Sequence, residues 1–255
     1  MIVLVAGMPR AGSMWTYNVI RAIFEARGWS VLPKEVPVDE GSMIRNAFFS
    51  HEKYKEVYCI KTHLLLKKPL PPNHKLKIIC NIRDVRDACL SYIRFTHANF
   101  DAGLVAMTEM MNSTDYYLSA FSNQLLSVRF EDVLNDPGNV LRNVSTFLKI
   151  KLSDRDRLQI LERFDKSNIK NKLRDLPKVM LDSNSQITDE DQRALFQAVK
   201  NNDGTFRTLD KATGFQSNHI TSTTDGEWRT SFSSEQNEKL LGLSREWLLK
   251  YGYEI

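Results

Sequence analysis

IVLVAGMPRAGSMW, residues 2–15, runs from an apolar segment through two glycines into a helical pattern. Ile2 to Ala6 reads as a short strand buried on both faces. Gly7 and Gly12 then stand at the G-x-x-x-x-G spacing of a phosphate-binding loop. From Ser13 to Arg27, Val19, Ile20, Ile23 and Phe24 form one apolar stripe, and Gly28 supplies the stop. A strand that feeds a glycine loop and then a helix aims backbone N–H groups and a helix N-terminus at an anion. A loop for phosphoryl transfer places a lysine after its second glycine, then a Ser or Thr for Mg²⁺. Here Ser13-Met14 stands in those places, and Arg10 is the only cation of the loop. Such a loop can hold a phosphate without a metal. The plainer alternative is a tight turn with a surface arginine.

Outward from this stretch, three more apolar runs read as buried strands: Val57–Lys61, Lys77–Ile82 and Leu125–Phe130. Helical patterns lie over 84–98, 101–121, 139–148, 154–164, 189–200 and 233–251. Asp84 is placed as an N-cap with Asp87 at the capping-box position. Strands that alternate with helices predict an α/β protein: a three-layer P-loop-type fold, with a central parallel sheet flanked by helices. The 255 residues are expected to form a single domain, 1–255. Residues 30–56 and 201–227 read as long irregular segments, the second as a surface loop or a ligand cover.

Composition narrows the function. Hydrophobic residues make up 42% and charged residues 26%, with a net charge of +4. That balance weakly favours an anionic ligand. The cations are scattered and are not interleaved with aromatics, so no nucleic-acid partner is expected. No apolar run is long enough to span a bilayer, so no membrane partner is expected. Cys59, Cys80 and Cys89 are odd in number and read as buried thiols of a reducing compartment, and the expected location is cytoplasmic. The five histidines show no ligand spacing, so no metal site is expected.

Two further motifs meet the loop. Lys61-Thr62-His63 closes the second predicted strand, at the sheet rim where open α/β folds bind ligands. Side chains two apart on an extended segment point the same way, so Lys61 and His63 face one ligand. In the third motif, Arg83 closes a strand and Ser91 lies two turns into the next helix, so both can grip one phosphate. The alternatives are an ion pair of Arg83 with Asp84 or Asp87, and back-bonding of the Ser91 hydroxyl in its own helix.

Together these residues resemble the family of sulfotransferases that use 3′-phosphoadenosine-5′-phosphosulfate (PAPS). The resemblance covers nearly the whole chain. Pro9-Arg10-Ala11-Gly12-Ser13-Met14-Trp15 is similar to the family's 5′-phosphosulfate loop. Lys61-Thr62-His63 is similar to the segment that supplies a lysine and the catalytic base. Arg83 and Ser91 have the spacing of its 3′-phosphate motif. Phe130-Glu131-Asp132-Val133 resembles a segment whose aromatic residue lies near the adenine. Gly226-Glu227-Trp228-Arg229 resembles the family's Gly-Asp-Trp-Lys, and Ser167 falls in a second adenine-side region. In place of the family's Arg-Lys-Gly stands Thr221-Ser222-Thr223, with no cation.

The resemblance implies His63 as general base, with Lys61 and Arg10 offsetting charge that builds during transfer. It implies Arg10, Ala11, Gly12, Ser13, Met14 and Trp15 around the 5′ end of PAPS. Arg83 and Ser91 would hold the 3′ end, with Phe130, Ser167 and Thr221–Thr223 completing the set. PAPS is the co-substrate, adenosine 3′,5′-bisphosphate the product, and no metal is required. An ordinary imidazole, with a pKa of ~6.5, is neutral enough at neutral pH to take a proton. The expected partner is a small-molecule acceptor, an alcohol, phenol or amine of partly apolar character. Candidate walls for it are Phe48, Phe49, Phe95, Phe100 and Met107–Met111, which are equally readable as core. Competing readings are a metal-dependent P-loop kinase and a non-catalytic nucleotide-binding module. No segment near the C-terminus reads as a dimerisation element.

Overall fold

The computed structural model describes residues 1–36, 56–63, 65, 76–217, 219–220 and 225–255. Phe48, Phe49 and Thr221–Thr223 lie outside them. Five parallel strands form the central sheet: β1 (Ile2–Gly7), β2 (Ser30–Leu32), β3 (Glu56–Lys61), β4 (Leu76–Ile82) and β5 (Leu125–Arg129). Their order is β2-β3-β1-β4-β5, which puts the glycine-loop strand in the middle. All six residues of β1 are buried. A strand covered on both faces has no polar side to alternate, which is why Ile2–Ala6 is apolar throughout.

Ten helices among the described residues surround the sheet. They are α1 (Ser13–Glu25), α2 (Val85–Thr96), α3 (Phe100–Ala120), α4 (Phe130–Asn135), α5 (Pro137–Phe147), α6 (Asp154–Arg163), α7 (Lys166–Arg174), α8 (Glu190–Leu195), α9 (Trp228–Ser231) and α10 (Ser234–Lys250). The pleat of β1 divides the core. Val3 and Val5 pack with Ile20, Phe24, Leu141 and Ile160 from α1, α5 and α6. Ile2, Leu4 and Ala6 pack on the other side with Ile60, Ile78 and Tyr117 of α3. A third cluster joins α2, α3 and α10 through Cys89, Met107, Met110, Leu240 and Trp247. The expected three layers are therefore present.

Local chemistry sets the helix ends. Asp84 accepts from the Arg86 N–H, and Asn99, Asp136, Ser153 and Ser233 cap α3, α5, α6 and α10 in the same way. The capping box expected at Asp84 and Asp87 is not formed. Asp87 turns away and accepts N–H bonds from Gly226 (2.7 Å) and Trp228 (3.1 Å). Its carboxylate thus pins the segment before α9 onto α2.

Four expectations change. The helix expected over 189–200 stops at Leu195, and Phe196–Lys200 becomes strand β6, paired antiparallel with β7 (Phe206–Asp210). An aromatic and a valine suit a strand there, and Gly204 takes a positive φ in the connecting turn. Segment 201–227 is accordingly not all loop. Phe130 starts α4 instead of ending β5. Met107, Met110, Met111 and Phe100 pack between helices, so they are core and not pocket wall. The short strand β2 and helix α7 were not anticipated. The three cysteines are buried and free, and burial pushes each thiol up to about 12.

Gly7 has a φ of 101°, and a Cβ there would collide with the Asn81 carbonyl oxygen. Gly7→Ala is therefore expected to destabilise the protein by more than ~1 kcal/mol, lowering Tm by several degrees in a calorimetric scan. An unchanged Tm would show that the loop has room to spare.

Candidate active site

The site is built at the carboxyl ends of β1, β3 and β4. Pairing fixes their relative height, with Val5 opposite Lys61 and Gly7 opposite Asn81. The loop then turns through two left-handed residues, Arg10 (φ 64°) and Gly12 (φ 80°). Gly12 is the N-cap of α1, and a Cβ there would lie 2.9 Å from the Phe130 ring. Among the described residues the next turn holds no acidic side chain. Asn81 donates to the Thr16 hydroxyl (2.8 Å), and the Met8 N–H donates to the Asn81 carbonyl (3.3 Å). Loop and β4 are thereby tied together from beneath.

Lys61 and His63 do face the same way. The Lys61 ammonium donates to His63 Nε2 at 3.0 Å, and His63 Nδ1 donates to the Gly7 carbonyl at 2.9 Å. An ammonium has only protons to give and a carbonyl only lone pairs. These two contacts therefore place the ring proton on Nδ1 and leave Nε2 as the basic nitrogen. The carbonyl that fixes the tautomer belongs to Gly7, the last residue of β1 and the first glycine of the loop.

Arg10 and Arg83 converge with Ser91. Arg10 Nε donates to the Ser91 hydroxyl (3.0 Å), and its Nη2 donates to the His219 carbonyl (2.6 Å). Arg83 Nη1 donates to the Arg10 carbonyl (3.2 Å). Each guanidinium lies over an aromatic ring, Arg10 over Phe95 at 4.1 Å and Arg83 over Phe130 at 4.2 Å. Neither carboxylate considered as an ion-pair partner for Arg83 is used that way. Asp84 pairs with Arg86 at 2.6 Å, and Asp87 accepts from backbone. Arg83 is 3% exposed and its Nε has no partner among the described residues. Burial, followed by the neighbouring Arg83 and Arg207, pulls the Arg10 pKa down to about 9. A positive charge held at such cost is relieved by an incoming anion.

A cavity of about 1180 Å³ opens here. Its walls include the anticipated residues Arg10, Gly12, Ser13, Met14, Trp15, Arg83, Ser91 and Phe130. Trp15 is held by a bond from its indole N–H to the Phe164 carbonyl (3.1 Å). Ala11 is fully buried, so only its backbone can serve the loop. The Ser167 hydroxyl is turned to the Asp165 carboxylate in the first turn of α7; the cavity is lined there by Asp165, Lys166 and Asn168. Sequence reasoning missed Phe215, His219 and Asp225, which also line it. The His219 ring sits edge-on to Phe95 (5.5 Å) and Phe215 (5.7 Å). Burial, then Arg10 and Lys61, hold its pKa well below the usual histidine value, so it is neutral. No local pattern around His219 marks it; only tertiary folding brings it to Arg10.

Comparison with known proteins agrees with this geometry. A family model described as "Sulfotransferase domain" matches residues 2–252. No curated protein matches the chain. Among solved structures, the chain is similar to mouse sulfotransferase SULT7A1 complexed with PAP. The identity is 18%, the TM-score 0.62, and the match covers 97% of this chain and 83% of that one. It is also similar to retinol dehydratase in complex with androsterone and inactive cofactor PAP, at 18% identity and TM-score 0.61, covering 97% and 80%. A retinol dehydratase complex with retinol and PAP matches at 19% identity and TM-score 0.61, covering 97% and 81%. At these identities the likeness shows the shared fold.

The tautomer of His63 is open to measurement. In ¹⁵N-resolved spectra at alkaline pH, His63 is expected to carry its proton on Nδ1 with Nε2 bare. A proton on Nε2 would contradict the arrangement.

Proposed function

The chain belongs to the sulfotransferase domain family, and from that premise we propose that it moves a sulfuryl group from PAPS to a hydroxyl or amine of a small acceptor. PAPS supplies the sulfuryl group and leaves as adenosine 3′,5′-bisphosphate. The observation that carries the reading is the Gly7–His63–Lys61 chain of hydrogen bonds, set beside Arg10, Ser91 and Arg83. The residues fit such a nucleotide. Arg83 Nε is buried in the cavity wall without a partner among the described residues, and Gly12 leaves a cradle that a Cβ would fill.

The 5′ end is assigned to the backbone N–H groups of residues 11–14 at the start of α1, with Arg10 beside them. The 3′ end is assigned to Arg83 and Ser91, and the adenine to the space between Trp15, Phe130 and the α6–α7 connection. Thr221–Thr223 stays assigned to the 3′ end on sequence grounds. Sulfuryl transfer is an in-line displacement, so the protein's work is positioning and charge stabilisation. In the resting protein Lys61 occupies His63 Nε2. When an acceptor arrives, Lys61 moves its proton donors to the departing bridging oxygen, and Nε2 accepts the acceptor's proton. The Gly7 carbonyl keeps the ring in register throughout and stabilises the imidazolium that forms. The buried free thiols favour a cytoplasmic setting. Among the described residues no helix is long and apolar enough to cross a membrane.

Two variants test these roles. His63→Ala is expected to cut turnover by ~10²–10⁴-fold while the Kd for adenosine 3′,5′-bisphosphate stays nearly unchanged. Unchanged turnover would remove His63 as the base. Arg83→Ala is expected to weaken adenosine 3′,5′-bisphosphate far more than adenosine 5′-phosphate in titration calorimetry. Equal losses for both would remove Arg83 from the 3′-phosphate.

A further inference from the structure

Arg207, on β7, has no place in the assignments above. It is half-buried, and its guanidinium carbon lies 4.5 Å from the centre of the Phe95 ring. Arg10 approaches the same ring to 4.1 Å. Arg10 lines the nucleotide cavity, whereas Arg207 and Phe95 do not. The Phe95 ring therefore meets two guanidiniums, that of Arg10 from the cavity wall and that of Arg207, which does not line that cavity. Arg207 donates to Gln216 Oε1 and Asn201 Oδ1, which are neutral amides. Among the described residues its Nη2 has no hydrogen-bond partner and no carboxylate lies within ion-pair distance of it. Burial lowers its pKa, with no anion nearby to offset the loss of water.

A second unmet group shares the ring. His219 meets Phe95 edge-on, and its Nδ1 is buried without a hydrogen-bond partner among the described residues. Half-buried cations without an anion and buried nitrogens without a partner are costly. A ligand that brings an anion and a hydrogen-bonding oxygen would meet both. The anionic groups of PAPS are already matched by Arg10, Lys61 and Arg83, which leaves Arg207 over.

We propose that Arg207, His219 and the Phe95 ring form an anion subsite for the acceptor, which carries a carboxylate or similar oxyacid group besides its reacting hydroxyl. This rests on the sulfotransferase reading and sharpens its acceptor class. Arg207 pairs with the oxyacid, neutral His219 adds a hydrogen bond without adding charge, and the Phe95 ring seats both of them. The hydroxyl of that acceptor is assigned to the His63 side.

The test is transfer from radiolabelled PAPS to matched pairs of acceptors, each a hydroxy acid against its amide, on aromatic, aliphatic and sugar backbones. 4-Hydroxybenzoate against 4-hydroxybenzamide is the aromatic pair. For at least one backbone, kcat/KM is expected to favour the acid by roughly 10- to 100-fold, the range of a charge-assisted hydrogen bond. Arg207→Gln is expected to bring that ratio near one, and Arg207→Lys to keep part of it. Both variants should bind adenosine 3′,5′-bisphosphate like the parent, which separates a lost subsite from a lost fold. Amides used as well as acids, a preference that survives in Arg207→Gln, or no transfer to any acid would each overturn the subsite. Failure of the parent protein to bind adenosine 3′,5′-bisphosphate would instead overturn the sulfotransferase reading itself.

Discussion

The pairing of β1 with β3 on one side and β4 on the other is the constraint on which the rest depends. One buried strand sets the height of three rims at once. Its last residue, Gly7, faces Asn81 so closely that no side chain fits, and its carbonyl is the acceptor that orients His63. The arginine loop starts from the same residue. A shift of one residue in either pairing would reverse the faces of the partner strand and part His63 from the loop. The site's geometry is therefore inherited from backbone hydrogen bonds in the driest part of the molecule. Its side chains only complete it.

Charge is divided with similar economy. Around Arg83 lie Asp84, Asp87 and Glu131, yet each has another task. Asp84 caps α2 and pairs with Arg86. Asp87 holds the backbone at Gly226 and Trp228. Glu131 accepts from the Asp84 N–H and the Tyr253 hydroxyl. Burial raises the pKa of both Asp87 and Glu131. The acids thus hold structure, while the guanidiniums rest on aromatic faces and keep protons for a ligand. Coulomb attraction between such a site and a multiply charged nucleotide is large because little water is present to screen it.

Much of this was legible in the sequence because it is local. The loop, the Lys61–His63 alternation and the Arg83–Ser91 spacing are each set within a few residues of one strand end. Strand order, Arg207 and His219 were not legible, because they meet only through tertiary packing; Phe95 was read from the sequence as an acceptor wall or core, without its arginine partners. The helix expected over 189–200 failed for a related reason. Phe196–Lys200 finds its partner in β7 beyond the turn at Gly204, and that pairing overrides the helical pattern continued from Asp189. Asp87 shows the same competition on a smaller scale: a carboxylate placed to cap its own helix serves a distant backbone instead. Phe130 was expected near the adenine from the resemblance; its place against Gly12 and under Arg83 could be seen only in three dimensions.

The central claim is that a glycine loop without its lysine, completed by Arg10 and by Lys61 from the neighbouring strand, is made for a 3′-phosphorylated adenine nucleotide and not for a metal-bound triphosphate. Thermal unfolding with saturating adenosine 3′,5′-bisphosphate, against saturating ATP with Mg²⁺, tests it most directly. A ligand that binds the folded state raises Tm in proportion to the logarithm of its concentration over its Kd. The account predicts a clear rise with the bisphosphate and a much smaller one with ATP and Mg²⁺. A larger rise with ATP and Mg²⁺ would contradict it.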